Sequence, residues 1–339
     1  MSQLIYFLLF ALGLVLIIKG SDWFIDSVIW IANAFNIPYI IIGATIVSIC
    51  TSLPETFVSL TASVKGETDV AFGNAIGSIA VNTGFIMAIL LLFAKPVIEN
   101  KRDFIKNGVF LILLIILIQI IGVTAGEINR WTGVGLLILL VLYLVNNVFS
   151  ARKLMQTGID NTPSDEKQRI VFQKKDVRNY SVKFIVGITA VVLGSNLLVD
   201  NGIQIAIILG VPSILIAVTF TALGTSLPEL VTTVTAIRKK ASNLGVGNII
   251  GADILNIIQV IALSSTVTPI PLDNDESILN VQLPVALIIV LLAVCFGSLS
   301  KTGFKRWQGL ILLLVYSGFV LLNMFRENTP ILGPLLFSF

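Results

Sequence analysis

The chain has 339 residues, 56% of them hydrophobic and only 12% charged, with a formal net charge of +3 and no histidine. Several apolar runs reach the roughly 20 residues that cross a bilayer, so the chain reads as an all-α polytopic membrane protein rather than a soluble domain. The small net charge argues against a nucleic-acid partner, and the lack of histidine removes imidazole metal ligands and His proton relays. A membrane enzyme would need a nucleophile–base set facing water, and none is found without histidine, so an enzyme is not expected.

Ten helices are predicted, near 4–32, 38–64, 70–93, 104–123, 129–150, 180–208, 213–237, 243–265, 278–299 and 305–325. The N-terminus runs directly into the first span without a cleavage pattern, so no removed signal peptide is expected. Cys50 and Cys295 fall within apolar spans and read as buried thiols. One long hydrophilic stretch, 151–179, holds Pro163 and several Asp and Lys without an apolar stripe. It reads as a linker between a first half, 1–150, and a second half, 180–339.

Orientation follows from the basic residues. Connections on the linker side carry seventeen Lys and Arg, against three (Lys65, Arg130, Arg326) on the other side. The positive-inside rule then puts the linker in the cytoplasm and both termini outside a multi-pass cell-membrane protein. The acidic loop with Asp273, Asp275 and Glu276 faces outside in this arrangement.

The two halves repeat. Gly20-Ser21 matches Gly194-Ser195, Asp26 matches Asp200, Pro38 matches Pro212, and Thr45 matches Thr219. Ser52, Pro54 and Glu55 match Ser226, Pro228 and Glu229, while Gly73-Asn74, Gly77 and Asn82 match Gly247-Asn248, Gly251 and Asn256. Every pair is 174 residues apart with no gap. Five helices per half is an odd number, so the second half is expected upside down relative to the first, as in secondary transporters with one ion site at the midplane.

The chemistry is expected on the second and seventh helices. Each carries a T-S-L-P-E run within an apolar segment, where a carboxylate costs roughly 3 kcal/mol at the bilayer centre and usually marks an ion or proton path. Thr45, Ser48, Ser52, Glu55 and Ser59 recur every three or four residues and form one polar stripe; Thr219, Ala222, Ser226, Glu229 and Thr233 form its counterpart. Pro54 cannot donate to the carbonyl of Cys50, nor Pro228 to that of Gly224, which leaves free backbone oxygens at depth. Two carboxylates, hydroxyls and carbonyls make an all-oxygen shell of the kind that hard cations take, and Glu55 with Glu229 offset the charge of one calcium ion.

On the third and eighth helices, Asn74, Ser78 and Asn82 share one face, as do Asn248, Ala252 and Asn256, with Asp253 nearly on it. The glycines of the G-N-x-x-G runs let these helices approach closely. Asp22, Asp26 and Asp200 on the first and sixth helices, with Lys19 nearby, read as paired or interfacial charges rather than ligands.

The paired T-S-L-P-E and G-N-x-x-G runs resemble the α-repeats of the cation/calcium antiporter superfamily, in particular its prokaryotic sodium/calcium exchangers. The resemblance covers essentially all ten helices and implies a secondary antiporter that exchanges calcium for sodium by alternating access. It implies that Glu55 and Glu229 bind calcium with backbone oxygens at Thr51 and Thr225. Sodium would use the same glutamates with Ser48, Thr51, Ser52, Ser78, Ala222, Thr225 and Ser226, while the first and sixth helices slide past the rest. The transported ions are then calcium and sodium, with no organic cofactor, in a bilayer-embedded chain that functions as a monomer.

The chain departs from the archaeal pattern at four positions. Cys50 replaces the first glycine of G-T-S-L-P-E, and Ala252 stands where a second serine ligand is expected. Asn256 stands where some members carry Asp, which with Asn82 makes that pair neutral, as in potassium-independent exchangers. Asp253 is an unusual acid that could substitute. Proton-coupled relatives generally carry a Glu within the G-N motif, absent here, so sodium is preferred; the alternative is a proton/calcium exchanger using the same glutamates. Asn82, Asn256 and Asp253 complete the expected metal-binding set.

Overall fold

The computed structural model describes residues 3–35, 37–98, 100–157, 174–209, 222–272, 278–300 and 303–328. In chain order its helices are α1 (Gln3–Ala34), α2 (Tyr39–Thr51), α3 (Leu53–Val64), α4 (Thr68–Phe93), α5 (Lys101–Ala125), α6 (Arg130–Thr157), α7 (Lys174–Ile208), α8 (Ala222–Thr225), α9 (Leu227–Arg238), α10 (Ser242–Val267), α11 (Ile278–Leu299) and α12 (Arg306–Asn328). Eight of these are long and apolar enough to cross a bilayer among the described residues, and α2 with α3 makes a ninth span bent by 45°. The chain is a polytopic helical membrane protein. The predicted seventh helix, 213–237, lies partly outside the described residues, as do the central part of the linker and the acidic loop.

Three differences from the sequence expectation have simple causes. Cys295 is exposed and Cys50 only half-buried, because an apolar span does not by itself say which of its faces packs inward. The second predicted helix is two segments, because Ser52 leaves helical geometry (φ −82°, ψ 8°) two residues before Pro54. The stretch 151–179 is also not wholly irregular: α6 continues to Thr157 and α7 begins at Lys174. Lys, Arg, Met and Gln are good helix formers without an apolar stripe, so a helix can run on past the lipid. A two-residue antiparallel pair, β1 (Glu127–Ile128) with β2 (Ile270–Pro271), ties the α5–α6 connection to the α10–α11 connection.

Burial grades the helices into an inner and an outer set. Within its most apolar window α10 is 89% buried and α4 72%, against 22% for α1 and 28% for α7. The inner pair packs with α5, α11 and α12 into one large apolar core that includes Phe72, Ile76, Ile249 and Ile258. Close approach of α2 to α10 depends on Gly247, where a Cβ would sit 2.9 Å from the carbonyl carbon and Cα of Ile40. On the periphery α1 and α7 pack antiparallel on each other, Gly13 against Gly194 and Gly20 against Gly187. Phe24 faces Phe184 and Trp30 stacks on Tyr180 along the same seam.

Candidate functional site

Each T-S-L-P-E run folds into the same broken turn. Ser52 has φ −82° and ψ 8° and Ser226 has φ −84° and ψ 7°, and each precedes a short helix with Pro in its first turn. Proline at that position needs no N–H of its own and fixes the backbone for the helix that follows. The break therefore sets Glu55 at the start of α3 and Glu229 at the start of α9, both fully buried at 1% and 0% exposure.

The two turns are cross-linked by reciprocal hydrogen bonds. The Ser52 hydroxyl donates to Glu229 Oε1 at 3.4 Å, and the Ser226 hydroxyl donates to Glu55 Oε1 at 3.5 Å. Each carboxylate thus reaches the turn that carries the other. Thr51 Oγ1 donates to Asn248 Oδ1 at 3.2 Å, and Thr225 Oγ1 donates to Asn74 Oδ1 at 3.1 Å. Both bonds of each couple map onto one another at the 174-residue offset of the sequence repeat.

Five other oxygens on the surrounding helices are left open. Glu55 Oε2, Glu229 Oε2, Ser78 Oγ, Asn82 Oδ1 and Asn256 Oδ1 are buried without a hydrogen-bond partner. Buried polar atoms are normally paired, so five unpaired oxygens on the mutually packed α3, α9, α4 and α10 form an acceptor-rich lining suited to a hard cation. Among the described residues no three His, Cys, Asp or Glu side chains are grouped to hold a metal ion, so carboxylates alone do not make the shell. The unpaired hydroxyl of Ser78 and amide oxygens of Asn82 and Asn256 are the further donors available there.

The other predicted residues divide. Ser48 is buried against Gly251 of α10, its hydroxyl donating to the Thr45 carbonyl at 3.1 Å. Thr45 itself donates to Ile41 O at 2.8 Å, so its hydroxyl serves the backbone. Ala222 lies in the short helix α8, and Thr219 lies outside the described residues. Ala252 is fully buried where its counterpart Ser78 presents a free hydroxyl. Asp253, fully buried, has both carboxylate oxygens taken: Oδ1 accepts from Asn82 Nδ2 at 3.1 Å and Oδ2 from the Thr83 hydroxyl. Its oxygens are therefore engaged by Asn82 and Thr83 of α4.

Asn74 and Asn248 were not among the expected ligands, yet both join the two turns. Asn74 also donates to Glu55 O at 3.3 Å and to Ser59 Oγ at 2.9 Å, and Asn248 donates to Thr232 Oγ1 at 3.3 Å. The only sequence sign of this was their identical place in the two G-N-x-x-G runs. Asp22 and Asp26 are paired as expected, but with Lys239 and Arg238 rather than Lys19. Those two bases stand at the C-terminal end of α9, Arg238 as its last residue and Lys239 as its cap, and reach α1 only through the packing of the two helices.

The chain is similar to known proteins along nearly its whole length. The family model described as sodium/calcium exchanger protein matches residues 5–149 and 180–325. An uncharacterized membrane protein of Methanocaldococcus jannaschii is 35% identical over 91% of this chain and 94% of its own length. The sodium/calcium exchanger MaX1 of Methanosarcina acetivorans is 29% identical over 93% of this chain and 97% of its own. Among solved structures, the sodium-calcium exchanger NCX_Mj soaked with sodium and strontium superposes with a TM-score of 0.78 at 31% identity, covering 94% of this chain and 99% of that one.

Proposed function

The chain belongs to the sodium/calcium exchanger family, and we propose that it exchanges calcium for sodium by alternating access at one site shared between two inverted five-helix repeats. The observation that carries this reading is the reciprocal bonding of Ser52 to Glu229 and Ser226 to Glu55. Two buried acids held against each other's broken turns offer one ion a pair of charges that neither half offers alone. The antiparallel α1–α7 pair and the 174-residue offset of the bonded couples support the inverted arrangement of 1–150 and 180–339, joined by 151–179. One chain carries both halves of the site, so a monomer suffices.

In the proposed mechanism calcium is held by Glu55 and Glu229 with the backbone oxygens of Thr51 and Thr225. The Thr51 and Thr225 hydroxyls donate to Asn248 and Asn74, which orients each turn. Sodium ions compete for the same carboxylates together with Ser48, Ser52, Ser78, Ser226 and the backbone at Ala222. Asn82 and Asn256 supply amide oxygens, and Asp253 acts through Asn82: it takes the Asn82 N–H and leaves Oδ1 for the ion. Because the two loads share oxygens, each conformation carries one or the other. A load of three sodium ions against two fixed charges leaves +1, so the cycle responds to membrane potential. The basic residues on the linker side support a cytoplasmic linker in a multi-pass cell-membrane protein with both termini outside.

The test is calcium uptake into reconstituted vesicles with sodium, potassium or pH gradients imposed one at a time. Sodium-driven uptake is expected. Uptake driven by a pH gradient alone would replace this reading with proton/calcium exchange on the same glutamates.

A further inference from the structure

The peripheral pair α1–α7 is joined to the rest of the molecule unequally at its two ends. Helices α1 and α7 run antiparallel with Gly20 level with Gly187 and Gly13 level with Gly194. At 1.5 Å per residue that register puts Asp26 and Asp200 about 28 Å apart along the pair, close to the thickness of the hydrocarbon layer. At the Asp26 end the contact is closed. Lys239 Nζ lies 2.7 Å from Asp26 and 3.8 Å from Asp22, and Arg238 lies 3.8 Å from Asp22. The Ser21 hydroxyl donates to Thr235 Oγ1 at 2.6 Å beside them, and α1 packs along α9.

The offset of 174 residues turns Asp26 into Asp200 and Lys239 into Lys65. The same acid–base couple is thus built into the opposite end of the pair. There it is apart: both residues are exposed, no ion pair joins them among the described residues, and α7 makes no contact with α3 comparable to that of α1 with α9. One sequence device is present twice, made at one end and unmade at the other.

We propose that Asp26–Lys239 and Asp200–Lys65 are alternating latches, one closing as the other opens when the α1–α7 pair shifts against the core. This rests on the alternating-access reading above. The glycine contacts make the pair one unit, so a movement that brings Asp200 to Lys65 takes Asp26 from Lys239. The closed latch is half exposed, with 24% of the Lys239 side chain and 41% of the Asp26 side chain accessible, so it biases the equilibrium without locking it. The two latches are also unequal. Asp22 and Arg238 reinforce the first, while their counterparts at the other end are the uncharged Asn196 and Val64. The conformation with the Asp26 end closed is therefore the favoured one at rest.

Zero-length carbodiimide coupling tests this on the full chain in vesicles, because it joins a carboxylate to an ammonium group only where they touch; peptide mass spectrometry reads the links. At rest the Asp26–Lys239 link should dominate. With opposed sodium and calcium gradients the Asp200–Lys65 link should appear, on different molecules. Lys239→Gln should raise the Asp200–Lys65 yield about two- to five-fold, and Asp200→Asn should abolish that link alone. The proposal is overturned if the second link stays absent in Lys239→Gln under gradients, or if both links occur on one molecule as often as independent events. The yields are read without ion flux. A protein that transports calcium but never forms the second link loses only the latches, and one that alternates links without carrying calcium loses only the exchange reading.

Discussion

Replacing Asn248 by alanine removes a side chain that no ion is expected to touch, and it should still weaken calcium binding. Asn248 is 1% exposed, accepts from Thr51 Oγ1 at 3.2 Å and donates to Thr232 Oγ1 at 3.3 Å. Neither threonine is left wholly unpaired, since Thr51 retains Ser48 O at 3.4 Å and Thr232 retains Pro228 O at 2.7 Å. The loss is then that of one or two ordinary hydrogen bonds, about 1–2 kcal/mol, which is roughly 5- to 30-fold in half-saturating calcium. The assay is the calcium dependence of uptake into sodium-loaded vesicles, for Asn248→Ala, Thr51→Val and the double variant. If the asparagine works by orienting the Thr51 turn, the two changes share their cost and the double variant is hardly worse than either single one. The couple Asn74→Ala and Thr225→Val should behave alike. Fully additive effects, or reduced protein yield with unchanged half-saturation, would refute the orienting role.

Gly247→Ala would place a methyl group 2.9 Å from the Ile40 backbone, which cannot rotate away, so a loss of about 1–3 kcal/mol is expected as a lower unfolding temperature in detergent. Ala252→Ser restores the hydroxyl that Ser78 presents in the other half, and sodium should then inhibit calcium uptake at several-fold lower concentration; unchanged inhibition would remove Ala252 from the sodium path. Asp253→Asn sets an amide donor against the Asn82 and Thr83 donors, which releases Asn82 from its orientation. Half-saturating calcium should rise with the maximal rate largely kept, whereas a loss in yield alone would assign Asp253 to packing. With three sodium ions exchanged per calcium, an inside-negative potential of 100 mV should change the driving force by about 2.3 kcal/mol, measured as a shift in the sodium gradient at which net calcium flux vanishes.

Local features of the sequence carried a long way. The breaks at Ser52 and Ser226 follow from proline chemistry, and the burial of Glu55 and Glu229 follows from the apolar segments that carry them. The matched spacing also anticipated that equivalent residues would serve equivalent purposes, as the reciprocal serine–glutamate bonds illustrate. What spacing could not reveal was contact between distant segments. Asn74 reads as a packing residue because Thr225 is 151 positions away, and Asp253 reads as a free acid because the donors that occupy it come from α4. The helical ends of the linker stretch were missed for another reason. Periodicity detects a helix by its apolar face, and 151–157 and 174–179 carry no apolar stripe. Asp26 reads from the sequence as a paired or interfacial charge with Lys19 nearby, whereas its partner Lys239 comes from the end of a neighbouring helix.

The central claim is that two buried acids from opposite halves hold one ion together. Uptake of radiolabelled calcium into sodium-loaded vesicles by Glu55→Gln and Glu229→Gln tests it directly, because glutamine keeps the size of the side chain and its oxygen while removing one charge. Each single variant should lose uptake as completely as the double variant, with the protein still folded in detergent. Near-normal uptake by either one would mean that the two carboxylates do not share an ion.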